Sequence, residues 1–186
     1  MIKKRIIIGI SGATGIQYGI KALELLRELD VETHVIISKA AELVRSYETQ
    51  YKHDTIVSLA DKAYALADVG AAISSGSFKT MGMLIAPCSV KTMSEIATGV
   101  TSSLMSRAAD VTLKERRKLV LLFRETPLHA GHIKTMLQIT EMGGIVMPPV
   151  PAFYMQPQSI DEMVKHTVAR ALDLFGFDIE IPRWER

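Results

Sequence analysis

The sequence predicts an α/β domain built on a doubly wound parallel sheet, and three observations carry that expectation. Apolar strand-like runs alternate with helical patterns along the whole chain. The first run ends in closely spaced glycines with a helical pattern directly behind them. With 186 residues and 48% hydrophobic content, the chain suffices for one sizeable core and leaves no room for a second, so residues 1–186 are expected to form one domain.

The elements follow in order. Residues 4–10 carry Ile6, Ile7, Ile8 and Ile10, a near-continuous apolar run that suits a strand buried on both faces. Gly9, Gly12 and Gly15 then allow a tight turn into a helix over 15–29, with backbone N–H groups turned toward an anion at the helix start. A second strand spans 31–37 and ends in Ser38, ahead of a helix over 39–47. Residues 49–80 read less clearly: a weak helical pattern around Thr55–Leu66 leads into Ala71–Phe78, a polar, glycine-containing loop suited to covering a site. Strands follow at 82–87, 118–123 and 144–148, and helices at 91–97, 103–115, 132–142 and 160–175. The last helix has the clearest start signal. Ser159 stands at the N-cap, Glu162 in capping-box position, and Gly176 is available to close the far end. The expected fold is flavodoxin-like or Rossmann-like.

In such a sheet, ligands collect at the carboxyl ends of the strands. The opening glycine turn suits a phosphate, and the choice of ligand rests on the second strand. A dinucleotide reading wants an acid there for the ribose, whereas this strand ends in Ser38, so FMN is favoured over NAD. Ser89, Lys91 and Thr92, behind the strand Ile85-Ala-Pro-Cys88, offer hydroxyls, N–H groups and a positive charge. The strand 118–123 delivers Arg124 and Glu125 at its end. Cys88 reads as a packing residue, and its being the only cysteine fits a reducing compartment and a cytoplasmic protein. A net charge of +2 without basic runs argues against nucleic acid, and no apolar segment is long enough to cross a bilayer. Metal-ligand spacings such as His-Glu-x-x-His or Cys-x-x-Cys are absent, so no metal is expected. Taken alone, Glu48 reads as a solvated surface carboxylate, while Arg107 and Arg170 read as helix-surface ion pairs. Tyr154 reads as a half-buried tyrosine after a proline-rich turn, and His129 and His132, on one helical face, as capping or hydrogen-bonding groups.

Longer motifs change that reading. Ser-Gly-Ala-Thr-Gly (11–15), Ser38-Lys-Ala-Ala, Glu48-Thr, Ser-Ser-Gly-Ser (74–77), Pro-Cys-Ser (87–89), Arg107-Ala-Ala-Asp-Val, Leu-Lys-Glu-Arg (113–116), Arg124-Glu-Thr-Pro-Leu, Pro-Ala-Phe-Tyr154 and Arg183-Trp184 together resemble the UbiX-like flavin prenyltransferases, over essentially the whole chain. The resemblance implies a homo-oligomer, typically a dodecamer, that joins a dimethylallyl group from dimethylallyl phosphate to reduced FMN. Its product would serve UbiD-like decarboxylases. Carried over by position, it puts FMN on Gly12, Ala13, Thr14, Ser38, Ser89, Val90, Lys91, Thr92 and Arg124. It puts the prenyl phosphate against Tyr154 and Arg170, with Ser75, Arg107 and Lys114 nearby, some of them from a neighbouring protomer. Glu48 and Glu125 would be acid/base and orienting carboxylates, and Thr14 a relay beside Glu48. The run His129-Ala-Gly-His-Ile-Lys-Thr-Met136 departs from the family's usual Ile-His-Leu-Glu-Asn. Two other functions remain open: an FMN-dependent decarboxylase of the cysteine-decarboxylase type, whose Pro-Ala-Ser-Ala-Asn-Thr motif this chain lacks, and a non-catalytic flavin carrier attached to a decarboxylase.

Overall fold

The computed structural model describes residues 3–184. Its strands are β1 (Arg5–Ile10), β2 (Glu32–Ile37), β3 (Lys62–Tyr64), β4 (Gly82–Cys88), β5 (Lys118–Phe123) and β6 (Ile145–Val146). Its α-helices are α1 (Ile16–Glu28), α2 (Lys39–Glu48), α3 (His53–Val57), α4 (Val90–Thr98), α5 (Leu104–Lys114), α6 (Ala130–Glu141) and α7 (Ile160–Asp173). The strands lie in the order β3-β2-β1-β4-β5-β6, all neighbours parallel, so the chain reverses its winding direction between β1 and β4.

Period-two alternation divides the sheet between two apolar layers. Ile6, Ile8, Ile10, Leu84, Ala86, Val120 and Leu122 face α1 and α7, which pack against each other. Ile7, Met83, Ile85, Leu119, Leu121 and Phe123 face α4, α5 and α6. Helix α1 lies very close to the switch point: a Cβ on Gly19 would stand 2.5 Å from the Ala86 carbonyl oxygen, so only glycine permits this approach.

The expected strands and most helices are present, with β6 shorter than its apolar run. The exception is the weak helical pattern at Thr55–Leu66. Helix stops at Val57, and residues 62–64 form an edge strand instead. Long-range bonds outweigh local propensity here. The Asp61 carboxylate accepts from the Thr33 amide at 2.8 Å and from its hydroxyl at 3.1 Å, while the Tyr64 hydroxyl meets His34 Nδ1 at 2.9 Å. At α7, Ser159 accepts from the Glu162 amide at 3.1 Å as expected, but Glu162 returns to the Gln158 amide, one residue outside the usual box. Gly176, at φ 82°, follows the helix end in the left-handed region. Among the described residues no helix is long and apolar enough to cross a membrane.

Candidate active site at the carboxyl edge of the sheet

The switch point is held shut by one buried hydroxyl. Ser11, fully covered, donates to the Pro87 carbonyl at 3.0 Å and accepts from the Ser89 amide at 2.8 Å, tying the end of β1 to the end of β4. Sequence reasoning gave Ser11 no role, since only the pairing of β1 with β4 reveals it. Around this strut the helix starts point the same way. Ser38 caps α2 by accepting from the Ala41 amide at 3.0 Å, and Ser89 caps α4 by accepting from the Thr92 amide at 3.3 Å. Gly12 lies directly against Ala40 in the first turn of α2.

Helix α1 starts differently. Gly15, at φ 100°, offers no side chain, and the cap comes from the end of α2. The Glu48 carboxylate accepts from the Gly15 amide at 2.8 Å, from the Ile16 amide at 3.2 Å and from the Thr14 hydroxyl. Gln17 adds a bond from Nε2 to the Glu48 carbonyl at 3.3 Å. A carboxylate is the species a helix N-terminus favours, so Glu48 is held at a fixed place by three donors. The anion that the glycine turn suggested is supplied here by the protein itself.

Beside Glu48 opens a cleft of about 720 Å³, lined by Thr14, Gly15, Tyr18, Glu48, Arg124 and Glu125, with Phe123 and Val164 among its apolar surfaces and Pro148–Pro151 as a rim. Arg124 is pinned through its amide to the Cys88 carbonyl at 3.0 Å, yet its guanidinium makes no hydrogen bond or ion pair among the described residues. Burial raises the pKa of Tyr18, and the nearby Arg124 charge pulls against that rise. Glu125 bonds the Thr126 amide at 2.9 Å. Cys88 is wholly buried, and desolvation pushes its thiol far up, so it carries no thiolate chemistry.

The remaining residues singled out in the sequence fall into two other clusters. Tyr154 and Arg170 meet at a pocket of about 300 Å³ with His166, Arg183 and Trp184, where Tyr154 stands edge-on to Trp184 at 5.2 Å and Arg170 pairs with Asp173. Ser75 lies in the 74–77 loop, which Arg117 grips through the Gly76 carbonyl at 2.7 Å and the Phe78 carbonyl at 2.8 Å. Lys114 reaches the same loop and pairs with Glu115, and Arg107 pairs with Asp110 at 2.8 Å. Thus Thr14, Glu48, Arg124 and Glu125 share the cleft, whereas neither Tyr154 and Arg170 nor Ser75, Arg107 and Lys114 line it. Lys91 points outward to Glu95 at 2.6 Å. No group of three or more His, Cys, Asp or Glu side chains able to hold a metal occurs among the described residues.

A doubly wound parallel sheet with polar groups converging at its switch point defines an α/β protein that binds a phosphorylated ligand. The chain belongs to the Flavoprotein family, whose model matches residues 1–172, and within it to the UbiX-type flavin prenyltransferases. It is 57% identical over 175 residues to the flavin prenyltransferase UbiX of Neisseria meningitidis serogroup B, covering 94% of this chain and 93% of that one. The crystal structure of AnUbiX (PadA1) in complex with FMN and dimethylallyl pyrophosphate superposes with a TM-score of 0.95 at 46% identity, covering 98% and 100% of the two chains. A dodecameric FMN-dependent UbiX-like decarboxylase from Escherichia coli O157:H7 gives the same score, identity and coverage. The protein is therefore a prenyl-transferring flavoprotein enzyme, the reading the motifs favoured over a cysteine decarboxylase or a passive carrier.

Proposed function

We propose that this enzyme joins the dimethylallyl group of dimethylallyl phosphate to reduced FMN, and that the carboxyl edge of the sheet is where it does so. The arrangement of Glu48 carries the reading: a carboxylate locked by Thr14 and two helix amides at the mouth of a cleft is a proton acceptor whose position does not depend on the ligand. The groups present fit FMN. Ser38 follows β2 and Arg124 follows β5, with β1 and β4 between, so they stand about 14 Å apart at three strand spacings and do not close on one phosphate. FMN laid along this edge has its phosphate at the starts of α2 and α4, on Ser38, Gly12, Ala13 and Ser89 through Thr92, with Lys91 taking part through its backbone because its side chain turns out to Glu95. Its ring then reaches the cleft of Thr14, Glu48, Arg124 and Glu125.

The chemistry breaks the allylic carbon–oxygen bond, with the electron pair leaving on phosphate, forms a bond from that carbon to the flavin, and removes a proton from the ring. Arg170 and the Tyr154 hydroxyl hold the departing phosphate, while Glu48, directly or through Thr14, takes the proton. Ser75, Arg107 and Lys114, like Tyr154 and Arg170, reach the cleft from a neighbouring protomer, because within one chain none of the five lines it. The exposed side chains of Val150, Phe153 and Ile160, two of which line the cleft, supply an apolar surface for that neighbour. A dodecamer in the cytoplasm, built from single flavoprotein domains spanning 1–186 and handing prenylated FMN to a UbiD-like decarboxylase, completes the proposal.

Anaerobic incubation with reduced FMN and dimethylallyl phosphate, followed by mass analysis of the flavin, tests it. A flavin heavier by one prenyl unit is expected. Flavin returned unchanged would overturn it.

A further inference from the structure

Helix α6 begins with a histidine where most helices place Ser, Thr, Asp or Asn. His129 is its N-cap, in extended backbone at φ −102° and ψ 169°, and its ring Nδ1 accepts from the Gly131 amide at 3.0 Å. The two residues fit each other. A Cβ at position 131 would stand 2.7 Å from His129 Cε1, so only glycine leaves room for the imidazole to lie over the helix start. The exposed His129 ring also stacks on His132 at 3.7 Å between centroids. His132 in turn stands edge-on to Phe123 at 6.4 Å, and its own Nδ1 is buried with no partner. Phe123 ends β5, and Phe123, Arg124, Glu125 and Thr126 all line the cleft.

The cap uses the neutral form of the ring, the only form in which a histidine Nδ1 accepts. Facing this helix start, α4 carries Lys91 and Glu95, bound to each other at 2.6 Å. The preceding turn carries Arg124 and Glu125, the latter engaged with the Thr126 amide, and α6 itself carries Lys134 and Glu141. The histidines with carboxylate partners are His34 and His53 instead.

We propose that His129 is a positioning residue: its imidazole fixes the start of α6 and, through His132 and Phe123, the Arg124–Thr126 turn of the active-site cleft. The link to the cleft rests on the reading that Arg124 contacts FMN. The test is FMN affinity by flavin fluorescence for wild type, His129→Ala and His129→Asp, with exchange of the Gly131 amide followed in parallel. His129→Ala should bind FMN about fivefold more weakly than wild type, the scale of one lost cap, with faster Gly131 exchange. His129→Asp, which supplies a different capping acceptor, should recover both. His129→Ala matching wild type in affinity and exchange would overturn the proposal, as would failure of His129→Asp to recover either. If Arg124→Ala binds FMN like wild type, the link to the cleft fails, and Gly131 exchange alone then decides whether His129 holds the helix start.

Discussion

The two edges of the sheet use polar residues in opposite ways. At the amino edge, Arg5 donates to Glu32 at 2.8 Å, Glu32 meets His34 Nε2 at 3.0 Å, and Tyr64 meets His34 Nδ1. Phe78 closes this network with its ring edge-on to His34 and its face toward Arg5. Each group there has a partner from another strand or loop, and the network fastens the short edge strand β3. At the carboxyl edge, Glu48 is fixed by three donors while the Arg124 guanidinium faces an open cleft without a partner among the described residues. Polar side chains satisfied within the chain give rigidity, and those left facing a cavity are the ones a ligand engages.

The sharpest way to break this contrast is Glu48→Gln. Loss of a general base of this kind costs about 10² to 10⁴ in rate, so single-turnover prenylation should fall at least 100-fold while FMN affinity changes little. Anaerobic spectra with flavin mass analysis read both, and an adduct joined at one flavin position only would place Glu48 in the later step. Next comes Arg124→Ala, which removes a charged hydrogen-bond donor worth about 1.5 to 3 kcal/mol, so FMN binding should weaken roughly 10- to 100-fold in a fluorescence titration. Unchanged affinity would mean that the unpartnered guanidinium is not a cofactor contact. Tyr154→Phe and Arg170→Ala should follow, raising the KM for dimethylallyl phosphate about tenfold with FMN binding intact, since each removes a donor to the leaving phosphate. An effect on FMN alone would merge the two pockets into one site.

The smallest effect belongs to the amino edge. Burial lowers the pKa of His34, opposed by Glu32 and assisted by Arg5 and Lys62. A folded-state value below the ordinary 6.5 means that the unfolded chain binds more protons, so stability is fully present above about pH 6.5 and declines as the pH falls through that value toward the folded one. Thermal unfolding of His34→Gln, which keeps a donor and an acceptor without titrating, should show a flatter dependence on pH between 7 and 5. A wild-type slope in that variant would remove His34 from the account. For Glu32 and Asp61 burial pushes the pKa up, but hydrogen bonds from Arg5, His34 and Thr33 together outweigh it and hold both values low, so these carboxylates add stability that persists to lower pH and is lost only as they protonate.

What the sequence revealed, and what it hid, follows the same division. Long apolar runs read correctly as β1, β2, β4 and β5, and the start of α7 was legible in Ser159 and Glu162 because those signals are local. The strand β3 was not, since its three residues owe their conformation to Asp61 reaching Thr33 and to Tyr64 reaching His34. Glu48 looked like a surface carboxylate at a helix end. Only the family's motifs singled it out, because its partners lie 32 to 34 residues away and nothing local announces them. Ser11 escaped notice for the same reason: its bonds cross from β1 to β4, 76 and 78 residues distant.

The carboxylate at the start of α1 also bears on which nucleotides are turned away. In the dinucleotide-binding version of this strand order, the first helix of the sheet receives the pyrophosphate bridge. Here that seat is occupied by a negative charge belonging to the chain, bonded to the Gly15 and Ile16 amides. A pyrophosphate arriving there meets like charge and finds the amides already taken, which is a selection by prior occupancy. NAD should therefore bind more weakly than FMN, because the seat its bridge would need is filled by Glu48, and displacement of FMN by NAD at similar concentrations, read by flavin fluorescence, would overturn that expectation.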